Sequence, residues 1–231
     1  MLTTKTLQNT SVVYVIDNDK TIRESFSLLL GENGYVVSCH ENAECFLNSL
    51  GVTKQPSLSC AILDVNLSNL SGIDLQRMLI DKGISLPLAF VTGHSEVSTA
   101  VEALKLGAYD YLQKPIEKDA LCNLVAELLS KAHLDRQKFT EANAMKALFS
   151  TLTTREIQIL ELVVAGKSNK IIGLELNISI KTVEQHRSNI MEKLKVKRPS
   201  GLLHLVYKYQ KTLPHINTTN KDCASLKYWK N

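Results

Sequence analysis

The chain reads as an open, parallel α/β domain followed by a second, all-α domain, and three observations predict this. Short apolar runs alternate with helical periodicity over roughly the first half of the sequence. After that the strand signals stop, and capped helical segments follow one another. The charge divides in the same way: residues 1–133 carry 10 Lys+Arg and 15 Asp+Glu, a net of −5, whereas residues 134–231 carry 17 and 8, a net of +9. An acidic half joined to a basic half implies two domains with different partners, the basic one suited to a polyanion.

The elements of the first domain follow in order. Val12–Ile16 is an apolar run, and Ile22, Phe26, Leu29 and Leu30 repeat at helical spacing behind it. A second run, Val36–Cys39, and a weaker helix over 43–50 come next. Cys60–Leu63 precedes a helix over 73–82, and Leu88–Val91 precedes a helix carrying Val97, Ala100, Val101 and Leu104. That helix is expected to turn its apolar side to the core. Tyr109–Leu112 forms the last run, and Leu121, Leu124, Val125 and Leu128 form the last apolar helix face. Right-handed crossovers between such units place helices on both faces of the sheet.

Residues 132–150 contain no Gly or Pro and are rich in helix formers, which predicts a helical linker continuing the helix before it. In the basic half, Thr153-Thr-Arg-Glu156 is a capping box that opens a helix ending near Gly166 as C-cap. Ser168 caps a short helix over 169–176, Asn177-Ile-Ser179 forms a tight turn, and Ser179 caps a third helix to about Leu194. A fourth covers about 200–209. Two helices joined by three residues form a helix-turn-helix unit. Residues 211–231 form a polar tail with Lys221, Lys227, Tyr228, Trp229 and Lys230, and its default reading is disorder.

Composition narrows the class. Hydrophobic content of 44% is that of an ordinary soluble protein. Residues 1–10 lack the apolar stretch of a signal peptide, and no run approaches a membrane span. The five cysteines (Cys39, Cys45, Cys60, Cys122, Cys223) are odd in number and form no Cys-x-x-Cys pair, which argues against structural zinc and for a reducing cytoplasm.

Four polar residues, Asp17, Asp64, Thr92 and Lys114, each follow the carboxyl end of an apolar run. Function in open parallel sheets collects beyond those ends. Strand-end Asp and Thr often only cap a helix, and Lys is usually a surface residue. Together and in register, two carboxylates, a hydroxyl and an ammonium suit a magnesium-dependent phosphoryl site. Asp64 is the candidate nucleophile. Asp17 would help to hold Mg²⁺, Lys114 would pair with a phosphoryl oxygen, and Thr92 would hydrogen-bond another.

The stretches Val13-Tyr-Val-Ile-Asp17, Leu63-Asp64, Val91-Thr-Gly-His94 and Tyr111-Leu-Gln-Lys-Pro115 resemble the receiver domain of bacterial response regulators, over residues 11–131. The resemblance implies a flavodoxin-like (βα)5 fold, phosphorylation of Asp64 by a cognate histidine kinase, and a Thr92/Tyr111 switch. It also implies a cis Lys114–Pro115 bond and metal ligation by Asp17, Asn18, Asp64 and the backbone carbonyl of Asn66. Two positions depart from the family pattern. Leu67-Ser68 stands where Met-Pro is common, and Asn18 stands where the resemblance puts a metal-binding acid. An amide oxygen coordinates Mg²⁺ without bringing charge, so reduced affinity is expected. Two readings follow: a phosphorylation-controlled regulator, or a receiver that works without phosphorylation.

On the third basic-half helix, Val183, Ile190 and Leu194 face inward, while Lys181, Glu184, Gln185 and Ser188 form a polar face suited to base edges. Arg187, Lys193, Lys195, Lys197 and Arg198 flank it and suit phosphates. Any solvated amphipathic helix has such a face. The motifs Leu152–Leu160, Gly166-Lys-Ser-Asn-Lys170 and Thr182–Leu194 resemble the LuxR-type DNA-binding domain over residues 151–210. With a receiver before it, the whole chain is similar to FixJ-type regulators of the NarL/FixJ class.

That likeness implies Glu184, Gln185 and Ser188 as base readers and Lys181, Thr182, Arg187 and Lys193 as backbone contacts. His186 lies between the two faces and would touch a phosphate or pack by its ring edge. The implied partners are double-stranded DNA, the kinase and a second copy of the chain on activation; RNA polymerase is a further partner the likeness admits. No membrane partner is expected. Gly166-Lys-Ser168 matches the end of a phosphate-binding loop, but Glu161 replaces the required glycine and no strand precedes it. A hydrolase of this fold would show a second general base or a substrate-binding glycine loop. Neither is visible, so the chain is not expected to be an enzyme.

Overall fold

The computed structural model describes residues 11–52, 58–93 and 96–212. The chain divides into two compact units, Met1–Asp135 and Arg136–Asn231.

The first unit holds five parallel strands, β1 (Ser11–Ile16), β2 (Val36–His40), β3 (Leu58–Leu63), β4 (Leu88–Thr92) and β5 (Tyr111–Gln113), in the order β2-β1-β3-β4-β5. Between and after them run α1 (Lys20–Glu32), α2 (Ala43–Val52), α3 (Gly72–Asp81), α4 (Val97–Lys105) and α5 (Lys118–Phe149), the last of which belongs to the second unit from Arg136 onward. This is the expected flavodoxin-like architecture.

Alternation along the strands divides the core in two. Val13, Val15, Cys60, Ile62 and Val91 meet Phe26 and Leu30 of α1 and Leu121, Leu124, Val125 and Leu128 of α5. Tyr14, Ile16, Ala61, Leu63 and Phe90 meet Phe46 of α2, Ile73, Leu75 and Leu79 of α3, and Ala103 of α4. Of the four described cysteines only Cys60 is buried, and burial pushes its thiol pKa far up; Cys39 and Cys45 are exposed.

Two expectations need correction. The last strand is Tyr111–Gln113 rather than Tyr109–Leu112: its paired register runs from Phe90 opposite Tyr111 to Thr92 opposite Gln113, although the Tyr109 N–H already donates to the Leu88 carbonyl at 2.8 Å. More consequentially, Val97, Val101 and Leu104 do not face the core. They are 81%, 44% and 46% exposed, and Ala103 alone of α4 is buried. The α3–α4 contact is polar instead: buried Gln76 donates from Nε2 to the carbonyl of Ala103 at 3.1 Å, and Arg77 pairs with Glu102.

The second unit contains α6 (Thr154–Val164), α7 (Asn169–Leu176), α8 (Ile180–Lys193) and α9 (Pro199–Thr212). The capping box of Thr153 and Glu156 is formed, and Ser168 and Ser179 cap α7 and α8. The C-cap of α6 is Ala165, with Gly166 one step beyond at φ +77°. Asn177 takes the left-handed conformation at φ 52° and turns the chain from α7 into α8. Gly173 lets the two helices close up, since a Cβ there would lie 2.8 Å from the Ile178 carbonyl oxygen. The core gathers Ile159, Leu160, Ile172, Val183, Ile190, Leu202 and Val206. Phe149 stacks on Tyr209 within it, ring centroids 4.2 Å apart. Residues 1–10, His94, Cys223 and the tail beyond Thr212 lie outside the described residues.

Candidate functional site

Backbone ladders bring the strand-end residues to one rim. The Asp17 N–H donates to the His40 carbonyl at 3.1 Å, that of Asp64 to Ile16 at 2.8 Å, and that of Lys114 to Thr92 at 2.9 Å. Each residue is therefore the first beyond its strand, and their side chains meet. Lys114 Nζ donates to Asp17 Oδ2 at 2.5 Å and to Asp64 Oδ2 at 3.3 Å. Asp17 is 2% exposed, Asp64 7% and Thr92 fully buried. The Lys114–Pro115 bond is cis, as expected.

Two nearly buried carboxylates thus share one ammonium, and these three groups carry net negative charge. Buried charge of that sign calls for a cation. The carboxylate oxygens of Asp17 and Asp64 are of the kind that suits a hard ion such as Mg²⁺. Among the described residues no three His, Cys, Asp or Glu side chains gather as a metal cage. The neighbouring acid, Asp19, is engaged elsewhere: it is the N-cap of α1, accepting from the Thr21 N–H at 2.8 Å, and this contact lowers its pKa. Its own N–H donates to Asp17 Oδ1 at 2.9 Å.

Tyr111 sits half-buried beside Phe90, ring centroids 5.9 Å apart. Burial raises its pKa first, and the charges of Asp64 and Glu96 raise it further. Asn66 is exposed, and its N–H donates to Asp64 Oδ1 at 3.4 Å.

Two contributors were not read from the sequence. Arg23 reaches back from α1 and donates to the Asp17 carbonyl at 2.7 Å. Gly72 opens α3 directly against the site, where a Cβ would lie 2.3 Å from the Asp64 carbonyl oxygen. Arg23 gives no sequence signal, but a small residue just after a cap (Ser71) and before an apolar helix is a recognisable mark of close approach.

On α8, Lys181, Thr182, Glu184, Gln185 and Ser188 are exposed. Arg187 is partly buried and donates from Nη1 to Asn169 Oδ1 at 2.7 Å. Lys193 lies apart from the exposed group: its ammonium donates at 2.7 Å to Glu156, which is 3% exposed. It thereby ties the end of α8 to the start of α6. His186 packs partly buried, its Nδ1 without a hydrogen-bond partner.

A parallel sheet with an acidic, lysine-bridged rim and a helix-turn-helix unit with an exposed polar helix are the combination expected of a signalling regulator with a DNA-binding output. Comparison with known proteins agrees. Residues 13–126 match the response regulator receiver domain, and residues 150–206 match the bacterial regulatory proteins of the luxR family. The chain is 36% identical over 203 residues to the response regulator protein TmoT of Ectopseudomonas mendocina, covering 88% of this chain and 91% of that one. It is 37% identical over 194 residues to the transcriptional regulatory protein FixJ of Rhizobium meliloti, covering 84% and 92%. The solved structure of the response regulator StyR is similar at a TM-score of 0.76 and 36% identity, covering 87% of this chain and all of that one. Full-length FixJ from B. japonicum is similar at 0.53 and 34%, covering 87% and 97%.

The chain belongs to the response regulators that join a receiver to a LuxR-type DNA-binding domain, the arrangement found in FixJ. It is a transcription regulator of a two-component system. The two domains point to a regulator rather than a metabolic enzyme. They imply DNA and a histidine kinase as partners. No helix among the described residues is long and apolar enough to cross a membrane.

Proposed function

We propose that Asp64 is the phosphoacceptor of a switch whose output is DNA binding through α8. The observation that carries this is the convergence of Asp17, Asp64 and Lys114 at one rim, with a single ammonium between two buried carboxylates. An Asp64 oxygen attacks the phosphorus of a phosphohistidine on the cognate kinase. The P–N bond breaks, the imidazole leaves, and an acyl phosphate remains on Asp64. Lys114 balances charge on the incoming phosphoryl oxygens and Thr92 donates its hydroxyl to one of them. Asp17, Asn18, Asp64 and the Asn66 carbonyl would hold Mg²⁺, which when bound supplies further charge neutralisation there.

Tyr111 then follows Thr92 inward and reshapes the face made by α4, β5 and the first part of α5. The exposed stripe of Val97, Val101 and Leu104 gives that face an apolar surface suited to a second copy. Paired α8 helices would enter major grooves about 34–36 Å apart. Glu184, Gln185 and Ser188 would read bases, with Lys181, Thr182 and Arg187 on the backbone; Lys193 would serve there only by leaving Glu156. In this scheme residues 11–131 are the receiver, 132–150 a helical linker, 151–210 the DNA-binding domain and 211–231 a tail. The protein works in the cytoplasm, and RNA polymerase is a further partner of the DNA-bound form.

A second reading rests on Asn18, which stands where an acid is expected, with Asp19 Oδ1 already engaged in capping α1: the receiver works as a dimerisation module without phosphorylation. Intact mass after incubation with Mg²⁺ and acetyl phosphate separates the two, for wild type and Asp64→Asn, with light scattering on the same samples. One added phosphoryl group in wild type alone, with a shift toward dimer, supports the switch. No addition, with dimer already present, supports the second reading.

A further inference from the structure

One pair of side chains on α8 is already organised. Gln185 Nε2 donates to Asn189 Oδ1 at 3.0 Å, one helical turn further on. A carboxamide has one acceptor oxygen and two N–H donors. Asn189 takes one of these donors, which leaves Oε1 and one N–H of Gln185 for a further partner. Adenine presents the complement in the major groove, its N6–H donor beside its N7 acceptor.

The other exposed groups of the helix do not match that pattern. Glu184 only accepts and Lys181 only donates. Ser188 offers a single hydroxyl, and the Thr182 hydroxyl is paired with Ser179 Oγ at 2.8 Å. Arg187, which is partly buried, is tied to Asn169. Gln185 is the one amide among the exposed residues assigned to the DNA-facing side of α8.

We infer that Gln185 reads an adenine in each half-site, and that the partly buried Asn189 is the positioning residue holding its amide in the reading orientation. The inference rests on the assignment of α8 as the helix that enters the major groove. A long side chain fixed before binding loses less rotamer freedom on contact, so the brace sharpens discrimination at that base pair without adding a contact of its own.

The test is selection of duplexes from a randomised pool by the full chain, phosphorylated and unphosphorylated. Competition binding then compares the selected duplex with its single-position variants at fixed salt, for wild type, Gln185→Ala, Gln185→Glu and Asn189→Ala. Wild type should require A·T at one position per half-site, with roughly five- to hundredfold loss on replacement. Gln185→Ala should flatten that position and no other, and Gln185→Glu should shift it toward cytosine, whose N4 amino group donates. Asn189→Ala should weaken the same preference while leaving the salt dependence unchanged, which a general loss of structure would not do. A preference that persists in Gln185→Ala, or a Gln185-dependent position that selects G·C, overturns the inference and leaves α8 as a reading helix. A wild-type protein that selects no sequence overturns both.

Discussion

Adding a single methyl group at position 72 tests how closely the receiver is built around its phosphoacceptor. In Gly72→Ala the new Cβ would lie 2.3 Å from the Asp64 carbonyl oxygen and 2.9 Å from Phe90 Cε1. The first distance is about 1 Å short of ordinary contact. Neither neighbour can yield cheaply. The Asp64 N–H is bonded to Ile16 at 2.8 Å, the Gly72 N–H to Val65 at 2.8 Å, and Phe90 is fully buried in the sheet. Overpacking of this kind costs about 1–3 kcal/mol, and a backbone obstacle argues for the upper part of that range. For a unit of this size the loss should lower the melting temperature by on the order of 10 °C. Gly31 is the control, since a Cβ there meets nothing within 4 Å. Gly31→Ala should stabilise the chain by about 0.5–1 kcal/mol through helix propensity. Urea and thermal unfolding of the full chain, followed by far-UV circular dichroism, measure both. A Gly72→Ala melting temperature within about 2 °C of wild type would refute the close approach.

Three further outcomes are expected. Asn18→Asp should tighten Mg²⁺ binding in calorimetry roughly tenfold or more, because it adds a charge beside a divalent ion; unchanged affinity would mean position 18 does not face the metal. Burial holds the His40 imidazole below its usual pKa, so the fold favours the neutral form. That stability is present above the unfolded value of about 6.5 and is lost as pH falls through the lower folded value. The urea midpoint should therefore drop more between pH 7 and 5.5 in wild type than in His40→Gln, and equal slopes would count against the assignment. Lys193→Met should lower the stability of the second unit and leave the salt dependence of DNA binding unchanged, because its ammonium is committed to Glu156. A salt slope reduced by about one would return Lys193 to the phosphate contacts.

What could be read from the sequence depended on whether a signal was local. Asp17, Asp64, Thr92 and Lys114 were visible because each ends an apolar run, and parallel pairing then aligns the run ends. The capping box at Thr153 and the cap at Ser179 were visible because their partners lie three residues away. The orientation of α4 was not, since periodicity reveals that a helix has an apolar side without revealing where that side points. Gln76 falls on the inward stripe between Ile73 and Leu79, which hints at a buried amide but names no partner. Lys193 pairs with Glu156 across 37 positions, a contact no spacing encodes. The cap made by Asp19 is local in the same way as those at Thr153 and Ser179, since its partner, the Thr21 N–H, lies two residues on.

The α4 helix has one further consequence. It buries only Ala103, whereas α3 buries Gly72, Ile73, Leu75, Gln76 and Leu79, and its N-cap residue, Glu96, makes no side-chain cap bond. Little apolar area is re-exposed when α4 lifts away, so its amides should exchange with solvent through a local opening far below the global unfolding free energy, while those of α3 remain protected. The receiver therefore contains a weakly anchored segment above a firmly held sheet, and the part of its surface that is cheapest to rearrange is the part that carries Val97, Val101 and Leu104.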